Sequence, residues 1–94
     1  MGKVEMNIHE ETLSMFIMEW TNYNCKHSDR LDLYRVLMDT IERALFKSTL
    51  EACRYNKLKA SRRLGISLTF YQKRLRHYFG DEYFNRRAVP NSTI

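Results

Sequence analysis

The sequence predicts an all-α protein of four helices, the last two forming a C-terminal helix-turn-helix, and three stretches carry that prediction. After Asn7 apolar residues recur at helical spacing, with Leu13, Phe16, Ile17 and Trp20 on one stripe. From Leu31 to Cys53 the chain runs without Gly or Pro, long enough for about six helical turns. From Asn56 to Phe79 two short periodic segments meet at Gly65, whose neighbours read as the end of one helix and the start of another.

The first helix is predicted over roughly residues 8–24. Asn7 stands as its cap and Glu10 lies three residues on, the spacing of a capping box. Trp20 shares its face with aliphatic residues and reads as a packing anchor, while His9 reads as a surface residue of the first turn. Asn22 to Asp29 is polar and lacks periodicity. It is predicted as a connecting loop whose Ser28 or Asp29 caps the next helix.

On the long helix, Tyr34, Leu37, Met38, Ile41, Leu45, Thr49 and Ala52 form one stripe, with Phe46, Leu50 and Cys53 beside it. That apolar face is wider than the roughly 100° stripe a helix with one packing partner needs. Two partners are therefore predicted: the chain's own helix-turn-helix and a second subunit. Residues 8–54 read as dimerisation helices, with Phe16, Trp20, Tyr34, Leu37, Ile41 and Leu45 as interface residues.

Residues 55–79 read as the helix-turn-helix. Its apolar positions are Ala60, Leu64, Ile66, Tyr71, Leu75 and Tyr78, its left-handed turn residue is Gly65, and Ser67 caps the second helix. Gly80 closes that helix. Residues 80–94 contain the chain's single Pro and read as a tail in which Tyr83 and Phe84 fold back on the domain, with Arg86 and Arg87 as a solvated pair or as phosphate contacts.

Charge is segregated along the chain. Residues 1–51 carry six basic and nine acidic side chains, 52–80 carry eight and none, and 81–94 carry two and two. Charge placed for solubility alone is interspersed with its opposite. The concentration of Arg54, Lys57, Lys59, Arg62, Arg63, Lys73, Arg74 and Arg76 on a helix-turn-helix points instead to a phosphate-seeking surface.

Ninety-four residues fit one small domain, and a chain of this size buries only about two-thirds of the surface it exposes unfolded. Twelve aromatic residues and five Met are more apolar material than so small a core absorbs, so self-association is expected. No apolar run approaches the roughly twenty residues of a membrane span, and nothing resembles a signal peptide. A cytoplasmic setting without a membrane partner follows, in which Cys25 and Cys53 stay reduced. Cys25, His27, Cys53 and His77 lack the compact spacing of a zinc site, and neither metal nor cofactor is expected. Catalysis is not expected either: there is no Gly-rich phosphate loop, no G-x-S-x-G and no HExxH. Nor does the chain offer the strand-borne aromatic platform that stacks unpaired RNA bases.

Leu33-Tyr34, Ile41-Glu42-Arg43, Leu45, Leu50-Glu51-Ala52, Asn56, Ala60-Ser61-Arg62-Arg63-Leu64-Gly65-Ile66-Ser67 and Lys73-Arg74-Leu75 resemble the Fis family of bacterial DNA-binding proteins. They are similar as well to the C-terminal domain of NtrC-type enhancer-binding activators, whose Trp-bearing first helix Phe16-Ile17-Met18-Glu19-Trp20 also resembles. The resemblance implies an all-α homodimer in which the first two helices of each subunit share a bundle, with residues 1–94 as one domain in the bacterial nucleoid. It implies Leu68–Tyr78 as the recognition helix, double-stranded DNA as partner and the transcription machinery as a further one. Family DNA contacts fall on Asn56, Ser67, Leu68, Phe70, Gln72, Lys73, Arg74 and Arg76, to which the basic segment adds Lys57 and Lys59. Within that set Lys73, Arg74, Arg76 and the Asn56–Lys57 start are assigned to phosphates, and Leu68 and Gln72 to base edges.

Three positions depart from the family pattern. Leu68 stands where a polar or basic residue is usual, Phe70 replaces a Thr that meets phosphate, and Tyr55 occupies a position that prefers Gly. Leu68 offers an apolar contact such as a thymine methyl accepts. Apolar Leu68 and Phe70 on a recognition helix also support a second reading, a helical protein-interaction module with reduced DNA binding.

Overall fold

The computed structural model describes residues 6–84. These form four helices, α1 (Ile8–His27), α2 (Leu33–Ala52), α3 (Lys57–Leu64) and α4 (Leu68–Phe79). The chain divides into two compact units between Val36 and Leu37.

In the first unit, α1 begins with the capping box read from the sequence. The Asn7 side chain accepts the Glu10 N–H at 2.9 Å, and the Glu10 carboxylate accepts the Asn7 N–H at 3.2 Å. The end of α1 corrects the sequence reading, because Asn22–His27 is helical and the connection shrinks to residues 28–32. Nothing in 22–27 breaks a helix. Asn24 donates its side-chain amide to the Trp20 carbonyl, and Lys26 and His27 place basic groups where the helix dipole favours them. Neither Ser28 nor Asp29 caps α2. Ser28 terminates α1 through its N–H to the Asn24 carbonyl, and Asp32 is the residue that precedes α2, its carboxylate paired with Arg30 and Arg35 at 3.1 and 2.8 Å. The Arg30 hydrogen bond holds the Asp32 carboxyl below its ordinary pKa.

The second unit holds the core. Phe46 and Leu50 of α2, with Cys53 just past its end, bury against Ala60 of α3 and Tyr71 and Leu75 of α4. The first three are the residues beside the main apolar stripe, and they meet the chain's own helix-turn-helix. The Tyr71 ring meets Phe46 edge-on at 5.0 Å, and its hydroxyl donates to the Phe46 carbonyl at 2.8 Å across 25 residues of sequence. Burial pushes the Tyr71 phenol well above its ordinary pKa, as befits a group that must remain a donor. Ala60 and Ser61 are the small buried residues of α3, and the Ser61 hydroxyl returns to the Leu58 carbonyl.

Two helices end in the same way with different residues. After α3, Gly65 adopts φ 73°, its N–H bonds to the Arg62 carbonyl, and that of Ile66 bonds to the Ser61 carbonyl. After α2, Arg54 adopts φ 54°, its N–H bonds to the Glu51 carbonyl, and that of Tyr55 bonds to the Leu50 carbonyl. Both are Schellman endings, which need a left-handed residue that Gly supplies without steric cost. Tyr55 is left-handed too, at φ 66°, which accounts for the Gly preference at that position.

Past α4 the chain does not simply fray. Gly80 turns it, and Tyr83 is 4% exposed, edge-on to Phe79 at 5.3 Å and stacked on Tyr55 at 6.1 Å. The predicted fold-back of this segment is present. Arg86 and Arg87 lie outside the described residues.

Candidate nucleic-acid interface

Capping places both helices of the hairpin. Asn56 accepts the Lys59 N–H at 3.0 Å to open α3, and Ser67 accepts the Phe70 N–H at 3.1 Å to open α4. With Tyr71 and Leu75 turned into the core, the 3.6-residue repeat sends Thr69, Lys73 and Arg76 outward, and Gln72 lies on the flank of that face. Lys59, Arg62, Arg63, Gln72, Lys73 and Arg76 are all exposed. Leu68 is half-buried, whereas Phe70 stays 44% exposed, which leaves an aromatic surface on the recognition helix.

Arg74 differs from these exposed cations. It is half-buried, its Nε meets Glu42 Oε1 at 2.5 Å, its Nη2 meets the Tyr78 hydroxyl at 2.7 Å, and Asp39 lies 3.8 Å away. Tyr78 donates to the same Glu42 oxygen at 2.6 Å, and the guanidinium lies over the Tyr78 ring at 5.0 Å. Burial pushes the Glu42 carboxyl up, but hydrogen bonds from Tyr78 and Arg74 outweigh it and hold the group below its ordinary pKa. Burial and the Glu42 hydrogen bond push the Tyr78 phenol up to about 12. The sequence reading placed Tyr78 on the apolar stripe and gave Glu42 no role. Here they form a polar strap between α2 and α4.

Arg76 also has neighbours. Its guanidinium carbon lies over the Phe84 ring, 4.1 Å from the centroid, and the group stands 3.5 Å from Asp81.

Residues 37–78 match the family model described as bacterial regulatory protein, Fis family. The helix-turn-helix matches the Fis family. No curated protein and no solved structure matches the chain. The Fis-family segment takes in α2 from Leu37, all of α3 and nearly all of α4, and it marks a DNA-binding regulatory domain. Helix α1 and the turn after Phe79 lie outside it. Among the described residues no helix is long and apolar enough to cross a membrane.

The residues proposed for a dimer interface lie on α1 and on the part of α2 before Phe46. No α1 side chain is buried within the single chain. Phe16 is 65% exposed, Tyr34 81% and Leu45 48%, while Trp20, Leu37 and Ile41 are half-buried.

Proposed function

We propose that the chain is a homodimeric, sequence-specific DNA-binding protein that acts as a bacterial transcription regulator or DNA-architectural factor. The carrying observation is the acid-free cationic face of α3 and α4 on a Fis-family segment. Lys73, Arg76 and the Asn56–Lys57–Lys59 start of α3 contact phosphates, which fix register. Leu68 and Gln72 face base edges, with Gln72 able to pair bidentately with adenine. Ser67 and Phe70 flank that pair. Arg74 is assigned chiefly to holding α4, since Glu42 already takes its guanidinium. The exposed apolar residues of α1 and the Tyr34–Leu45 stripe support dimerisation through the first two helices.

Selection of bound sequences from a random duplex pool, followed by footprinting and a salt titration, tests this reading. A reproducible site of two half-sites and an affinity that falls steeply with salt is the expected result, because each neutralised phosphate releases counterions. The exposed Phe70 favours the alternative of a protein-interaction module. Failure to enrich any duplex, with only weak salt-dependent binding, would decide for it.

A further inference from the structure

Beside the recognition helix lies a groove of about 260 Å³, lined by Lys57, Gln72, Lys73, Arg76, Tyr83 and Phe84 among others. One wall is the turn at residues 80–84, past the end of the Fis-family match at Tyr78. That wall is anchored. Tyr83 is buried between Tyr55 and Phe79, Gly80 donates its N–H to the Arg76 carbonyl at 2.8 Å, and Phe84 donates its N–H to the Asp81 carbonyl at 3.1 Å. Phe84 follows directly on that anchor and remains 59% exposed, and the Arg76 guanidinium carbon lies over its ring, 4.1 Å from the centroid.

An arginine on a surface helix ordinarily loses rotamer freedom when it grips a phosphate, and that ordering opposes binding. Stacking on an aromatic face removes part of the cost beforehand and leaves the edge of the planar guanidinium, with its N–H donors, pointing away from the ring. Asp81 neutralises part of the charge in the free protein, but this carboxylate is well exposed, and a phosphate oxygen can replace it at little cost.

We infer that the turn at residues 80–84 is part of the DNA interface, with Phe84 as a positioning residue that holds Arg76 at the mouth of the groove for a backbone phosphate. This rests on the DNA-binding reading above. The turn lies outside the matched segment, and a phenyl ring offers a phosphate no hydrogen bond of its own.

The test is a double-mutant cycle on duplex DNA with the full chain, using Phe84→Ala, Arg76→Ala and the pair. Phe84→Leu keeps apolar bulk without a ring face, and Phe84→Trp keeps the face. Phe84→Ala and Phe84→Leu should each weaken binding roughly two- to five-fold, and Phe84→Trp should bind as the parent does. In the Arg76→Ala background, Phe84→Ala should change nothing further. Thermal melting of each variant registers any loss of fold, and Phe84→Leu is the variant that decides if Phe84→Ala melts early. Parent-like affinity for Phe84→Leu, an equal effect of Phe84→Ala with and without Arg76, or tighter binding on removing the ring overturns the inference. If the parent itself shows no salt-dependent affinity for duplex DNA, the DNA-binding reading fails instead.

Discussion

Arg74 and Glu42, 32 residues apart in sequence, meet at 2.5 Å and tie the recognition helix to the long helix that precedes it. Both side chains are less than one-third exposed, so the pair is better shielded than an ordinary surface salt bridge. Tyr78 bonds to both partners and completes a three-sided network. Removing one member leaves the others short of a partner in a partly dry setting, and that penalty exceeds the net worth of the bond itself.

Arg74→Ala is therefore expected to cost about 1–3 kcal/mol of stability, read by urea denaturation, while leaving the slope of log affinity against log salt nearly unchanged. Lys73→Ala is expected to do the reverse, with little change in stability and a slope lowered by about one. A salt slope that falls equally in both variants would return Arg74 to the phosphate set.

The same network gives a pH dependence. Glu42 has a folded pKa below its unfolded value of 4.5, so it favours the folded state when ionised. Its contribution is fully present above about pH 4.5 and is lost as pH falls through the folded pKa. Glu42→Gln should be less stable than the parent at pH 7, and the difference should shrink below pH 4. Denaturation of both proteins at pH 7, 5 and 3 checks it. A gap that stays constant over that range would mean the carboxylate charge plays no part.

Much of this region was legible in the sequence, and the reason is local. Gly65 and Ser67 act through their own backbone and nearest neighbours, so an apolar period interrupted by Gly-x-Ser is enough to place the turn. The Glu42 strap was not legible, because its partners come from a helix that only the fold brings near. A hint was present: Glu42 lies four residues before Phe46 and eight before Leu50, on the face that buries against a hairpin rich in cations and free of acids. The end of α1 was misread for a different reason. Polar Asn22–His27 lacks periodicity because that turn has no apolar stripe to bury, and an aperiodic helix looks like a loop.

The paired Schellman endings predict opposite responses to one kind of change. Gly65→Ala should cost about 1 kcal/mol, because φ 73° strains any L side chain although nothing lies within 4 Å of the added Cβ. Arg54→Gly should relieve comparable strain at φ 54° and stabilise by up to about 1 kcal/mol, less the greater entropy of an unfolded Gly. Tyr55→Gly should not stabilise, since its ring packs on Tyr83. Urea midpoints of the three variants rank them directly.

Dimerisation carries its own expectation. Ile41 sits half-buried on the proposed interface stripe of α2. A carboxylate introduced there and enclosed by a second subunit would cost several kcal/mol, so Ile41→Asp should dissociate or unfold the protein. Sedimentation of the unmodified chain should give a dimer at micromolar concentration. A folded monomer for that chain would remove the two-subunit reading of α1 and α2.

Gln72 and Lys73 are adjacent on α4, yet a 100° step of the helix separates them, and the proposed function assigns them different tasks. Lys73 stands on the outward face with Thr69 and Arg76, and in the proposed interface its compact positive charge meets a phosphate of any sequence. Gln72 lies on the flank of that face, one turn after Leu68, and its carboxamide can both donate and accept. That is the pattern adenine presents in the major groove. Gln72→Ala should therefore lose preference at one base pair, by about 1–3 kcal/mol, while binding to unrelated duplex changes little. The measurement is the affinity of parent and variant for every single-base change in the selected site. If the two proteins rank those sites alike, Gln72 is a solvated helix residue, and base reading passes to Leu68 and its apolar contact.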